Sequence, residues 1–406
     1  GGLSLTSREG LVAGGDSGDA FDVHHPTDSY LSERIRSGEM PPEKQGRSQK
    51  LADSEIELLG RWIDDGAKWP ERRVLDYFER TSDVRAGRDW WSLQPVVRPT
   101  VPMLEGSSQP DNPIDAFIGA ELAKHNVKPA PRADRRTRIR RLYYDVIGLP
   151  PSESAITAFE NDQTPDAWAK LVDRVLEMPQ YGERWARYWL DLARYADTSG
   201  YERDQEKPFA WKYRDWVVDA FNSDMSYDQF ILEQLAGDEI ENRTKQSVIA
   251  TGFLRLGTWN DEPNDRLDYQ YERLEDLVHT TSSAFFGLTV KCARCHSHKF
   301  DAITQTDYYR MASAFWAGPL LTGGKQLGGP TAEQVGFDDV LAWTDTGPKP
   351  KPLYRLKNGE RDQPLEEVVP ASLSLIPSLE RSFDSPPAGT QTSHRRRQLA
   401  EWITDP

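Results

Sequence analysis

Apolar positions recur at helical spacing through most of this chain, and that pattern predicts a mainly α fold. Near the start, Asp28 stands ready to cap a short helix, Ser29 to Arg36, ended near Gly38. Ile56, Leu59, Trp62 and Ile63 mark a second helix within Ala52 to Gly66. From residue 112 the helical signal is continuous. Asn112-Pro113 opens a helix carrying Ile114, Phe117, Ile118 and Leu122 on one face. Further helices are expected over Ala133 to Ile147, Ser154 to Glu160, Pro165 to Glu177, Trp211 to Asn222 and Tyr227 to Leu235. Between them, Gly182 to Ala196 carries Trp185, Trp189, Leu192 and Ala196 at i, i+4, i+7 and i+11, a stripe predicted to face the core. A long helix is expected from Tyr269 to Phe286, stopped by Gly287, and Asp307 is placed to cap another through Trp316. Thereafter periodicity fades. Val368-Val369 and Leu373 to Ile376 read as short strands, and Arg395 to Ile403 as a last helix.

This pattern suggests five segments. Residues 1–73 read as a small helical domain and 74–111, with Pro95, Pro99, Pro102 and Pro110, as a linker. Residues 112–318 form the main helical domain, 319–390 a connector or small β element, and 391–406 the start of a further domain. The chain opens Gly1-Gly2-Leu3-Ser4-Leu5 and stops at Asp405-Pro406, so both ends read as cut from a longer precursor and no targeting signal is expected. A net charge of −15 excludes a general nucleic-acid binder, which needs a basic surface to displace counterions. No apolar run is long enough to predict a membrane span.

The chemistry concentrates in Cys292-Ala293-Arg294-Cys295-His296, which holds both cysteines of the chain. Cys-x-x-Cys-His is the attachment pattern of haem c: two thiols add across the vinyl groups and the histidine ligates the iron. Such attachment takes place outside the cytoplasm, so the motif also predicts a periplasmic or secreted protein. A zinc site using Cys292, Cys295 and His296 or His298 would lack a second cysteine pair. A redox dithiol would want a βαβ setting, and an inert pair is a further alternative. For the sixth iron position, His298 is close in sequence, His279 lies on the preceding helix and Met311 on the following one. A filled position makes an electron carrier; an open one permits oxidoreduction at the iron.

Other charged groups carry weaker signals. The run Arg132, Arg135, Arg136, Arg138, Arg140 and Arg141 suits an anionic glycan or haem propionates, or simply a solvated helix. Asp261-Glu262-Pro263-Asn264-Asp265 with Asp268 offers oxygen ligands for calcium without EF-hand spacing. Asp191, Asp197, Glu202 and Asp204 surround Gly200 and could support glycosidase chemistry, although Glu183–Arg187 and Asp191–Arg194 also fit ordinary helix pairs.

Several longer runs resemble a known family. They include Asn112-Pro113-Ile114-Asp115, Gly148-Leu149-Pro150-Pro151, Tyr181-Gly182-Glu183-Arg184-Trp185-Ala186-Arg187 and Gln234-Leu235-Ala236-Gly237-Asp238. Gly287-Leu288-Thr289, the cysteine motif through Asp301, and Arg395 to Trp402 extend the likeness. Together they resemble the large multidomain planctomycete cytochrome c proteins, in which a small cytochrome c domain precedes two domains of unknown function. Gly14 to Gly18, Met40-Pro41-Pro42 and Trp62 to Ala67 look like the back half of that cytochrome domain, whose own haem motif would precede Gly1. The resemblance implies that Met40 is the distal ligand of that missing N-terminal haem. Ser297 departs from the aspartate the family pattern carries there, without touching the ligands. The resulting expectation is an extracytoplasmic haem protein exchanging electrons with a redox partner protein or a neighbouring haem domain. The alternatives are a hydrolase acting on a polysaccharide with an accessory haem, and a structural metal module.

Overall fold

The computed structural model describes residues 3–20, 29–42, 48–71, 73–104, 112–321 and 330–405. Its elements are mainly helical, as the periodicity predicts. They fall into two compact units, Gly1–Gln94 and Pro95–Pro406. No helix among the described residues is long and apolar enough to cross a membrane.

The first unit contains helices α1 (Arg8–Ala13), α2 (Tyr30–Ser37) and α3 (Asp53–Asp64). Ser29 caps α2 through its side chain, and Gly38 ends it in the left-handed conformation. The expected cap Asp28 lies outside the described residues. Leu11, Leu31, Ile35, Ile63 and Ala67 form the core, with Met40, Leu51, Leu59 and Trp62 packed around it. The unit runs past the expected boundary at 73. The Leu75 amide bonds the Thr6 carbonyl, and Phe78 is buried. Residues 74–94 are therefore part of this unit instead of linker, because an aromatic side chain and backbone pairing tie them down.

The second unit begins with α4 (Pro113–Lys124), where Asn112 caps and Pro113 occupies the first turn. Only Ala116 of this helix is buried; Ile114, Phe117 and Ile118 are exposed. Helices α5 (Arg135–Val146), α6 (Glu153–Asn161) and α7 (Ala167–Leu176) share a core of Ile139, Tyr143, Phe159, Leu171 and Val175. Then α8 (Gln180–Leu192) lies along α9 (Ala210–Asn222). Its buried face is Gly182, Ala186, Trp189 and then Ala193; of the expected stripe Trp189 is buried, whereas Trp185, Leu192 and Ala196 are exposed. Close approach explains the rotation. A Cβ on Gly182 would stand 2.5 Å from the Val218 carbonyl oxygen, so small residues must face α9. The Trp185 indole instead donates to the Val146 carbonyl at the surface.

Helices α10 (Tyr227–Ala236), α11 (Lys245–Ala250) and the long α12 (Arg266–Phe286) complete this core. Trp189 packs against Phe230, Phe253 and Phe285, and its indole donates to Tyr213 and Gln234. Helix α13 (Gln305–Ala312) is capped by Thr304, with Asp307 as the reciprocal member of a capping box and not itself the cap. Met311 is core. A four-residue helix, α14 (Ala332–Val335), follows.

The 319–390 segment is more than a connector. Trp343 is fully buried against Gly318, where an added Cβ would meet the indole at 1.9 Å. The strands lie at β1 (Tyr354–Leu356) and β2 (Pro364–Glu367), an antiparallel pair turning through Asn358-Gly359, instead of at the expected Val368-Val369 and Leu373 to Ile376. Helix α15 (Arg395–Ile403) packs on α10 and belongs to this unit instead of opening a new one. Arg396 is its anchor. All five guanidinium donors are used: Nε to Asp345, Nη1 to Asp238 and the Leu235 carbonyl, Nη2 to Asp238 and Glu239, at 2.7–3.1 Å. The four charged side chains are completely buried.

Candidate functional site

The cysteine motif sits in the passage from α12 to α13. Gly287 ends α12 with φ +65°, and Val290–Arg294 form a 3₁₀ turn. Side chains three apart eclipse one another on such a turn, which sets Cys292 and Cys295 on one side. Both are exposed free thiols. Val290 and Ala293, between them, point inward and fix the turn.

The surrounding polar groups hold this segment rather than occupy its sulfurs. Arg294 pairs with Glu275 of α12 at 2.8 Å, and Lys291 reaches the same carboxylate. Those cations draw the Glu275 carboxyl below its ordinary range although its partial burial pushes the other way. Gln305 donates to the Arg294 and Leu356 carbonyls, and the Tyr309 hydroxyl donates to the first of these. Gly359, at φ +75°, closes over the site: a Cβ there would lie 2.7 Å from Cys295 Sγ. Neither Gln305 nor Gly359 was apparent from the motif. The Asn358-Gly359 dipeptide is the one local turn signal, and nothing in sequence ties it to Cys295.

The histidines differ in what they can do. His296 is exposed, and its Nδ1 is 2.8 Å from the Ser297 carbonyl. A carbonyl only accepts, so Nδ1 carries the proton and Nε2 presents a lone pair. A carbonyl bond at the far nitrogen is the usual support of a metal-ligating imidazole. His298 is buried and organises the turn: Nδ1 accepts the amides of Asp301 at 2.9 Å and Phe300 at 3.3 Å. The same Nδ1 stands 3.1 Å from the Asp301 carboxylate, so contacts within its own turn occupy it. His279 lies half-buried on α12 with Nδ1 3.3 Å from Ser283 Oγ. Among the described residues, no three His, Cys, Asp or Glu side chains gather into a metal-holding group.

In the first unit, Met40 is half-buried against the core and lines a cleft of about 220 Å³ with Ala20, Tyr30 and Leu31. A larger apolar cleft of about 470 Å³ is walled by Leu31, Ile35, Leu59, Trp62 and Trp69.

The other candidates have local partners. Asp204 accepts the Gly200 amide and Asp197 the Tyr195 hydroxyl, so these acids brace their own loop. Asp261 binds Arg203 and Gln205, while Asp265 caps α12 and pairs with Arg361, as does Asp268. In the arginine run, Arg135 holds the Phe159 carbonyl, Arg136 pairs with Glu160, and Arg138 lies over Trp168.

Comparison with known proteins agrees with this layout. Residues 113–318 match the family model described as PSCyt2, a protein of unknown function (DUF1549). Residues 1–44 match the one described as PSCyt1, planctomycete cytochrome C. No curated protein and no solved structure matches.

Proposed function

Because this chain belongs to the PSCyt2 (DUF1549) family and opens with a planctomycete cytochrome C segment, we propose that it is an extracytoplasmic c-type haem protein. Cys292 and Cys295 hold the porphyrin through thioethers, and His296 ligates the iron through Nε2. The observation that carries this reading is the His296 ring, whose Nδ1 faces a carbonyl and whose other nitrogen is free beside two exposed thiols. Bound haem supplies one-electron chemistry at iron. The chain's own residues fix the attachment turn: Arg294 and Glu275 lock it to α12, Gln305 and Tyr309 lock it to α13, and Gly359 leaves room at Cys295.

In the cytochrome unit, Met40 would be the distal ligand of the missing N-terminal haem, and it lines a cleft with Ala20, Tyr30 and Leu31. Electrons pass to a redox partner protein or a neighbouring haem domain. A polysaccharide hydrolase built on Asp197 and Asp204 has less support, since both carboxylates are engaged in bracing the loop.

The test is expression in a periplasm with haem c maturation machinery, followed by a pyridine haemochrome spectrum and the mass of the denatured chain. One added haem and a c-type α band are expected. Both should vanish in Cys292→Ser/Cys295→Ser, whereas His296→Ala should keep the added mass and lose the native Soret position. An unmodified mass in a folded wild-type sample sinks the proposal.

A further inference from the structure

Away from the cysteine motif, the second unit buries an excess of positive charge. Lys207, Arg255 and Arg273 are each at most 4 % exposed. Arg194 joins them, pairing with Asp276, which also accepts from Arg273 at 2.8 Å. Lys207, Arg194 and Arg273 thus stand about one carboxylate, with the phenols of Tyr201 and Tyr269 as the other titratable groups facing Arg273. Backbone carbonyls absorb part of the charge. Lys207 Nζ donates to Gly257 at 2.5 Å, and Arg273 donates to Thr258 at 3.0 Å. The guanidinium groups of Arg255 and Arg273 also lie 4.6 and 4.1 Å from the centre of the Trp259 ring.

Arg194 Nε and Nη2 and Arg273 Nε are buried without an acceptor. Buried charge of one sign with idle donors is unfavourable unless something neutralises it. The backbone here is strained as well: Arg194, Tyr201, Asp204 and Phe209 all have positive φ within one loop. Such outliers gather where the surrounding structure holds a functional geometry. Arg194 and Asp276 reach the surface, with side chains 23 % and 33 % exposed, and mark the way in.

We propose that the second unit binds a tetrahedral oxyanion, a sulfate or phosphate group, between the loop 194–209, the turn 255–259 and helix α12. Arg194 and Arg273 donate the hydrogen bonds, and Lys207 supplies a further positive charge. A dianion suits the excess of Lys207, Arg194 and Arg273 over the single Asp276 carboxylate better than a carboxylate does. Burial, with Arg273, Arg194 and Arg255 adding to it, lowers the Lys207 ammonium to about 8. A bound dianion restores that proton, so binding weakens as pH rises through this range and takes up protons from buffer. The site is independent of the haem reading.

The test is titration calorimetry of the full chain with sodium sulfate, sodium phosphate, glucose 6-sulfate and glucose 6-phosphate, against chloride at equal ionic strength. Saturable one-to-one binding is expected. Tighter binding of an ester identifies the group as carried on a sugar; equal binding identifies the free ion. Lys207→Met should lose about tenfold in affinity or more, the weight of one charge-assisted contact. It should nevertheless melt no lower than wild type in chloride, because it relieves repulsion. That second readout separates lost binding from a folding defect. No saturable heat with any of the four probes, or undiminished affinity in a folded Lys207→Met protein, overturns the proposal.

Discussion

Replacing Arg396 with methionine tests the reading that α15 is part of the second unit's core. The substitution keeps most of the side-chain volume and removes five hydrogen bonds. Asp238, Glu239 and Asp345 are left buried without the cation that bonds all three. Breaking a buried pair from one side costs about 3–5 kcal/mol, a large share of the 5–15 kcal/mol typical of a domain. Wild type already has a pH signature. Burial raises the Glu239 carboxyl from 4.5 to about 8, with Arg396 opposing the rise and Asp238 and Asp345 adding to it. A carboxyl raised on folding stabilises the folded state fully below its unfolded value, and that contribution is lost as pH rises to about 8. The slope is at most about 1.4 kcal/mol per pH unit. In Arg396→Met the remaining carboxyls escape partly by taking up protons, so the defect should be smaller at pH 5 than at pH 8. Urea unfolding, with hydrogen exchange of α10 and α15 amides identifying the unit, measures both effects. A variant within about 0.5 kcal/mol of wild type at pH 8, the scatter of ordinary surface changes, would refute the reasoning. So would a defect that shrinks as pH rises.

Three further outcomes follow from close contacts. Gly237→Ala would set a Cβ 1.8 Å from the Ser247 carbonyl oxygen, and a loss of about 3 kcal/mol or more is expected in thermal or urea melts. Asp307→Ala removes the acceptor for the Thr304 and Ser374 amides and hydroxyls, at 2.7–3.0 Å. With those donors half-buried, about 1–3 kcal/mol should be lost, read as early exchange of the α13 amides. Gly359→Ala, at φ +75° and against Cys295, should cost about 1–2 kcal/mol in backbone strain alone and lower the haem-to-protein ratio after maturation. Equal haem loading would separate the Gly359 turn from the attachment site.

Local chemistry was readable from sequence, and assembly was not. Asn112-Pro113 and Gly287 set helix limits through their own backbone needs, and the structure places those limits accordingly. The α8 stripe shows the limit of periodicity. Size suggested that Trp185 and Leu192 face inward, yet the close α8–α9 approach selects Gly182, Ala186 and Trp189. Trp343 hid in a Pro- and Gly-rich segment because its burial depends on Gly318, not on a repeat. The haem motif was visible as five consecutive residues, but Gly359, which closes on it, comes from a distant turn. The cationic cluster draws on positions 194, 207, 255 and 273, and no local pattern joins them. His298 stands beside His296 in sequence, but its contacts with the Phe300 and Asp301 amides have no local sequence signal.

The long reach of Arg396 also sets an order of events during synthesis. It lies 158 residues after Asp238 along the chain. At the usual elongation rate of about 5–20 residues per second, the acidic pocket waits about 8–30 s for its cation. The first unit lies wholly upstream of both residues. The second unit emerges with its central helices made and its keystone absent, exposing the faces that α15 later covers.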